Sequence, residues 1–183
     1  MSSATQSPAG GEAAVVGPVT APNDVRASFV LWLAAVGAGV FETILAVIEA
    51  VSGQLALGIG GVIGGVSMRL LIFSVVVYVA SRMLRGRNWA RFVLAIGLGV
   101  LGTLSIVIGP VSWLAEGHPI GEFVAGADLM LLIFASSRVV HLSAVFAALV
   151  LMFRPAANDY FRAARSAGRR TPVRTVPGRS GRK

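Results

Sequence analysis

Four long apolar segments, roughly 28–51, 57–81, 90–114 and 127–152, constrain this chain more than any other feature. Each is near the ~20–25 residues that a helix needs to cross a bilayer core. In hydrocarbon an open backbone finds no water to bond, so each segment must be helical. Composition supports a membrane setting. Hydrophobic residues make up 55% of the 183 and charged residues 13%, against about 25% charged in an average soluble domain. The mean hydropathy is +0.78. A soluble core of this size could not hide that much apolar surface. The chain therefore reads as an all-α integral membrane protein, with four transmembrane helices and short loops forming an antiparallel bundle.

Positive charge sets the expected orientation. The loop between the second and third segments carries Arg82, Arg85, Arg87 and Arg91, and the stretch 154–183 carries nine basic residues and one acid, Asp159. The other two loops hold no basic residue; 115–126 carries Glu116 and Glu122. The net charge of +8 therefore belongs to the tail, and it implies no nucleic-acid partner. An even number of spans puts the arginine-rich loop and both termini on one side, and the positive-inside rule makes that side cytoplasmic. Trp32, Tyr78 and Trp89 fall near the inner boundary and Trp113 near the outer one. Residues 1–24 hold two acids, no base and many Gly, Pro, Ala and Ser, so they read as a flexible cytoplasmic leader rather than a signal peptide. The domain plan is then leader 1–24, membrane domain 25–153 and a basic, largely disordered cytoplasmic tail 154–183. With no cysteine, disulfides and thiolate metal sites are excluded.

Small residues are spaced for close helix contact. Gly60 and Gly64, and Gly61 and Gly65, make two overlapping G-x-x-x-G steps, and Ala35 and Gly39 make a similar one in the first span. Such steps pack helices within one chain or between two copies, and both readings stand. Gly97, Gly99 and Gly102 match the spacing of a dinucleotide fingerprint, but that motif needs a strand before it and a helix start after it. Here the three lie in mid-span. Pro110 falls in the last turn of the third span, where it can bend or end the helix.

Ionisable residues inside the spans form the candidate site. Glu42 and Glu49 are seven apart on the first span and share a face. At 1.5 Å per residue, Arg69 and Arg138 fall near the bilayer midplane, Glu42 roughly 4 Å outward of it and Glu49 near the outer boundary. His141 lies one turn beyond Arg138. Span three offers only Thr103 and Ser105 near that level. An unpaired charge at mid-bilayer costs about 2.5–3.5 kcal/mol on insertion scales, so these groups must meet one another or water. Glu42, Glu49, Arg69 and Arg138 are charge-neutral as a set, and a carboxylate accepts forked bonds from guanidinium groups, so a closed network centred on Glu42 is expected. Such a network is either a structural lock that sets helix register or a proton, ion or anion path in which Arg69 and Arg138 hold the anion. The arginines oppose a metal ion at Glu42, Glu49 and His141. No cofactor motif, nucleophile elbow or phosphate loop is present, and no catalytic residue is assigned. His118, between Gly117 and Pro119, reads as a solvated loop residue.

In the tail, Asn158 is placed to cap a short helix that lays Tyr160 and Phe161 on the membrane. Arg162, Arg165, Arg169 and Arg170 would then contact anionic lipid headgroups. Ser166, Thr171 and Thr175, flanked by arginines, are candidate phosphorylation sites whose charge would weaken that attraction.

Three stretches carry a family resemblance: Val25-Arg-Ala-Ser-Phe-Val-Leu-Trp32, Gly86-Arg-Asn-Trp-Ala-Arg91 and Ala157-Asn-Asp-Tyr-Phe161. Across about residues 24–162 the chain resembles small four-helix integral membrane proteins, without an assigned activity, that are common in mycobacteria and other actinobacteria. The resemblance implies a bacterial plasma-membrane location and no reaction. The expected role is an accessory or interaction protein, partnered by another membrane protein or by itself; the alternative is a small oligomeric transporter or channel using the Glu/Arg/His cluster.

Overall fold

A computed structural model describes residues 20–53, 58–117, 121 and 128–169. It is all-helical, with no strand among the described residues. Helix α1 spans Asn23–Val51, α2 Ile59–Leu84, α3 Asn88–Ala115, α4 Leu129–Met152 and α5 Pro155–Arg169. The first four are long and apolar enough to cross a membrane, as a multi-pass membrane protein requires. Most of the leader 1–24, the loop residue His118 and the tail beyond Arg169 lie outside the described residues.

The helix boundaries follow local chemistry. Helix α1 starts after Pro22, whose carbonyl accepts from the N–H groups of Val25 and Arg26, and Asp24 places negative charge in the first turn, where the helix dipole favours it. Gly86, at φ +77°, closes α2 in the left-handed conformation that glycine adopts without steric cost, its N–H donating to the Met83 carbonyl. Only Arg85, Gly86 and Arg87 then separate α2 from α3. The Asp128 carboxylate caps α4 by accepting from the Leu131 N–H at 2.7 Å. Proline opens α5, where its missing N–H costs no bond.

Helix α3 departs from the plain helix expected of its apolar run. Residues Ala95–Gly102 form a π-helical stretch within it. The sequence Ala-Ile-Gly-Leu-Gly-Val-Leu-Gly supplies three residues without a Cβ to resist the wider turn, and Thr103 Oγ1 donates to the Leu98 carbonyl at its end.

The core lies at one end, here called the base. It joins Val25, Ser28, Trp32 and Ala35 of α1, Val76, Val79, Ala80 and Met83 of α2, and Ala90 and Leu94 of α3. It also takes Ala144, Val145, Ala148 and Met152 of α4 and Ala157, Tyr160 and Phe161 of α5. On α1, α2 and α4 these residues recur at three- and four-residue steps, the seam of closely packed helices, and many are alanine. Helix α1 stands between α2 and α4 and makes its widest contact with α4. Ser28 Oγ donates to the Ala148 carbonyl at 2.9 Å, a polar tie inside that contact. Toward the opposite end, the mouth, Thr43 is the one buried residue described, and open grooves separate the helices.

Glycine matters where helices touch. A Cβ at Gly39 would fall 2.8 Å from Cε1 of Phe73, and one at Gly99 would fall 3.0 Å from Cδ1 of Leu149. Gly37, by contrast, has nothing within 4 Å of that position. Gly39→Val should therefore destabilise the α1–α2 contact by about 1–3 kcal/mol, while Gly37→Val should be near neutral. Thermal unfolding of the two variants in detergent checks the contrast, and equal midpoints would show that the Phe73 ring has room to turn away.

Candidate intramembrane site

Within one chain the five ionisable residues of the spans do not close into the expected network. Arg69 is exposed on α2, in a groove of about 90 Å³ shared with Thr43, Ala46 and Gly61. Arg138 is exposed on α4, in a groove of about 590 Å³ bordered by Glu49, Asp128 and the α3 residues Ile106, Val107 and Pro110. The two arginines flank α1 on different sides, because α1 separates α2 from α4. Glu42 is half-buried, and its Oε1 is shielded from solvent without a hydrogen-bond partner. The ion pairs among the described residues lie elsewhere, Arg154 with Asp24 at 3.5 Å and Arg162 with Asp159 at 3.4 Å.

His141 has a defined structural task. Its Nδ1 donates to the Ala35 carbonyl at 2.9 Å, joining α4 to α1. A carbonyl only accepts, so Nδ1 carries the proton of this contact. Of the expected set, Glu49 and Arg138 are thus brought to one groove, while Arg69 and His141 stand apart from it.

The small-residue steps divide in the same way. Gly60 and Gly64 have nothing within 4 Å of a Cβ position, so this step faces open space. Gly61 lines the groove of Arg69, and a Cβ at Gly65 would lie 3.6 Å from the Arg69 Nη1. Ala35 and Gly39 do pack within the chain, against α4 and Phe73.

At the base the structure corrects three expectations. Trp32 is fully buried rather than placed at a lipid boundary, while Tyr78 and Trp89 are exposed. Asn158 is not a helix cap, since α5 begins three residues earlier at Pro155. Tyr160 and Phe161 do not lie on the membrane: they turn into the base, where the Tyr160 hydroxyl donates to the Leu84 carbonyl at 2.8 Å. The helix is amphipathic, and its apolar side, Ala157, Tyr160 and Phe161, joins the core at the base. Arg162 and Arg165 remain exposed on its outer side. The Arg169 side chain and Arg170 lie outside the described residues.

Burial pushes the Tyr160 phenol above its ordinary range. A raised folded-state value means that the neutral phenol stabilises docking fully below its ordinary titration near pH 10, and that this is lost as pH rises through the shifted value. Protection of α5 against hydrogen exchange should fall above about pH 10, and Tyr160→Phe should flatten that fall. An unchanged profile in the variant would assign the loss to another group.

One feature of the base has no local sequence signal. The Arg91 guanidinium lies over the rings of Phe92, Phe153 and Phe161, 5.0, 5.3 and 5.0 Å from their centroids, and its Nη1 donates to the Asn158 amide oxygen. The partners come from α3, the α4–α5 turn and α5, up to seventy residues from Arg91. Comparison with protein-family models, curated proteins and solved structures finds no match to this chain.

Proposed function

We propose that this protein is an accessory or interaction protein of the bacterial plasma membrane, an antiparallel four-helix bundle with both termini cytoplasmic. In that membrane it completes its mid-span charges with a partner, either another membrane protein or a second copy. One observation carries this: Arg69 and Arg138, both at mid-depth of their helices, are exposed on the flanks of a single chain. Against lipid each would cost about 2.5–3.5 kcal/mol. A partner surface that supplies carboxylates or polar groups removes that cost. The open Gly60/Gly64 face and the grooves at the mouth are the surfaces available for it.

The orientation rests on charge. The arginines of the α2–α3 turn and of α5 gather at the base, the side the positive-inside rule assigns to the cytoplasm. The likeness to small actinobacterial membrane proteins agrees with a plasma-membrane location. A second reading, a small oligomeric transporter or channel, draws on the groove that holds Glu49, Asp128 and Arg138 together. Purification from native membranes in mild detergent, followed by the mass of the intact complex, decides between them. A stoichiometric second protein supports the accessory role. A pure homo-oligomer fits a second copy as partner as well as transport, which ion-flux assays then separate, and a monomer alone would refute both.

A further inference from the structure

We propose that the junction of α3 and α5 is a binding site for the phosphate of an anionic phospholipid headgroup, with Arg91 and Arg165 supplying the positive charge. Arg91 is a half-buried cation whose partners are all neutral: three phenylalanine rings and the Asn158 amide. Its Nε–H is shielded and has no acceptor. Charges taken out of water are ordinarily paired, and the described acids near the base are already engaged, Asp24 with Arg154 and Asp159 with Arg162. Arg165 stands one turn beyond Phe161 on α5, on the face whose Phe161 ring meets Arg91, so the two like charges repel. Docking α5 therefore brings two cations onto one junction, neither of them ion-paired among the described residues, and an anion is the missing component.

The surroundings select a lipid over a soluble anion. Phe92 and Phe153, whose rings meet Arg91, are 46% and 39% exposed, and Trp89 in the first turn of α3 is 47% exposed. Cations ringed by exposed aromatic side chains at the end of a spanning helix match the headgroup level of a bilayer, where phosphate lies above acyl chain. The site differs from diffuse attraction of the basic tail because Arg91 is fixed by its ring contacts and Asn158. Bound phosphate would relieve the repulsion between Arg91 and Arg165, and so hold α5 on the base.

The test uses the full chain in nanodiscs of phosphatidylcholine alone or with phosphatidylglycerol. Hydrogen exchange of Pro155–Arg169 is followed, and co-purifying lipid is identified by native mass spectrometry. With phosphatidylglycerol the α5 amides should exchange about fivefold more slowly, and phosphatidylglycerol should remain bound. Arg165→Gln should abolish both effects, whereas Arg162→Gln, which removes an arginine paired with Asp159, should leave them. Arg165 is exposed, so its replacement does not threaten folding as Arg91→Gln would. Equal exchange in the two lipids, equal losses in the two variants, or the same protection from inorganic phosphate in detergent would overturn the proposal.

Discussion

Phe161→Ala should release α5 from the base while leaving the four spanning helices folded. Phe161 is 1% exposed, meets the Tyr160 ring edge-on at 5.3 Å, and offers its face to Arg91. Truncating a buried phenylalanine costs about 3–5 kcal/mol. Helix α5 has 15 residues, a length at which an isolated helix is marginal in water even for good helix formers. Its other anchors are buried Ala157, the buried Tyr160 ring with its hydrogen bond, the Asn158 contact and the fit of Ala164 against Gly86, where an added Cβ would come within 2.7 Å. A net hydrogen bond contributes only about 1 kcal/mol, so the two hydrogen bonds do not replace what Phe161 supplies. Limited trypsin digestion should then cleave at Arg162 and Arg165 in the variant well before the wild type. Phe161→Leu should behave in between, because it restores apolar volume without the ring that faces Arg91. An unchanged digestion pattern in Phe161→Ala would show that α5 is held by something other than this side chain.

The second large effect is expected from replacing both mid-span arginines. Arg69→Leu with Arg138→Leu removes two exposed guanidinium groups from the hydrocarbon, and with them an insertion cost of about 5–7 kcal/mol for a lone chain. The isolated bundle should become more stable. The native complex should lose mass, because the groups that require a partner are gone. The two directions are opposite, which separates recognition from a structural lock: a lock within the chain would make the same double variant less stable. Intact mass in mild detergent together with thermal unfolding gives both readouts. Retained mass with lowered stability would sink the interaction reading.

Much of the membrane domain was legible before any coordinates. Four apolar runs predict four long helices because backbone hydrogen bonding in hydrocarbon leaves little else, and the helices lie at those places. Their ends shift by a few residues: α1 begins at Asn23 rather than near 28, and α2 runs to Leu84 rather than 81. These helices run past their apolar stretches into polar residues, which hydropathy does not mark. The π-helical stretch was half visible as Gly97, Gly99 and Gly102, but glycine in an apolar run is equally a packing residue, and Gly99 against Leu149 is one.

The candidate site was legible only as a list of residues at one depth. Helical rise gives depth along the membrane, whereas azimuth decides which side chains meet. Because α1 stands between α2 and α4, Arg69 and Arg138 open onto different grooves and Glu42 joins neither guanidinium. Aromatic residues mislead for a related reason. Trp32 and Tyr160 sit at sequence positions that suit a lipid boundary, yet both are buried in the core at the base.

By itself the sequence determined the number of helices long and apolar enough to span, the segments in which positive charge collects and the residues too polar for lipid, since each depends on transfer free energy along the chain. Only the tertiary structure decided that the core lies at one end and that α5 covers it. It alone brought the distant rings of Phe153 and Phe161 to Arg91 and left the mid-span arginines without ion-pair partners in a single chain. Those features depend on contacts between residues far apart in sequence, and no local pattern encodes which helix face will meet which.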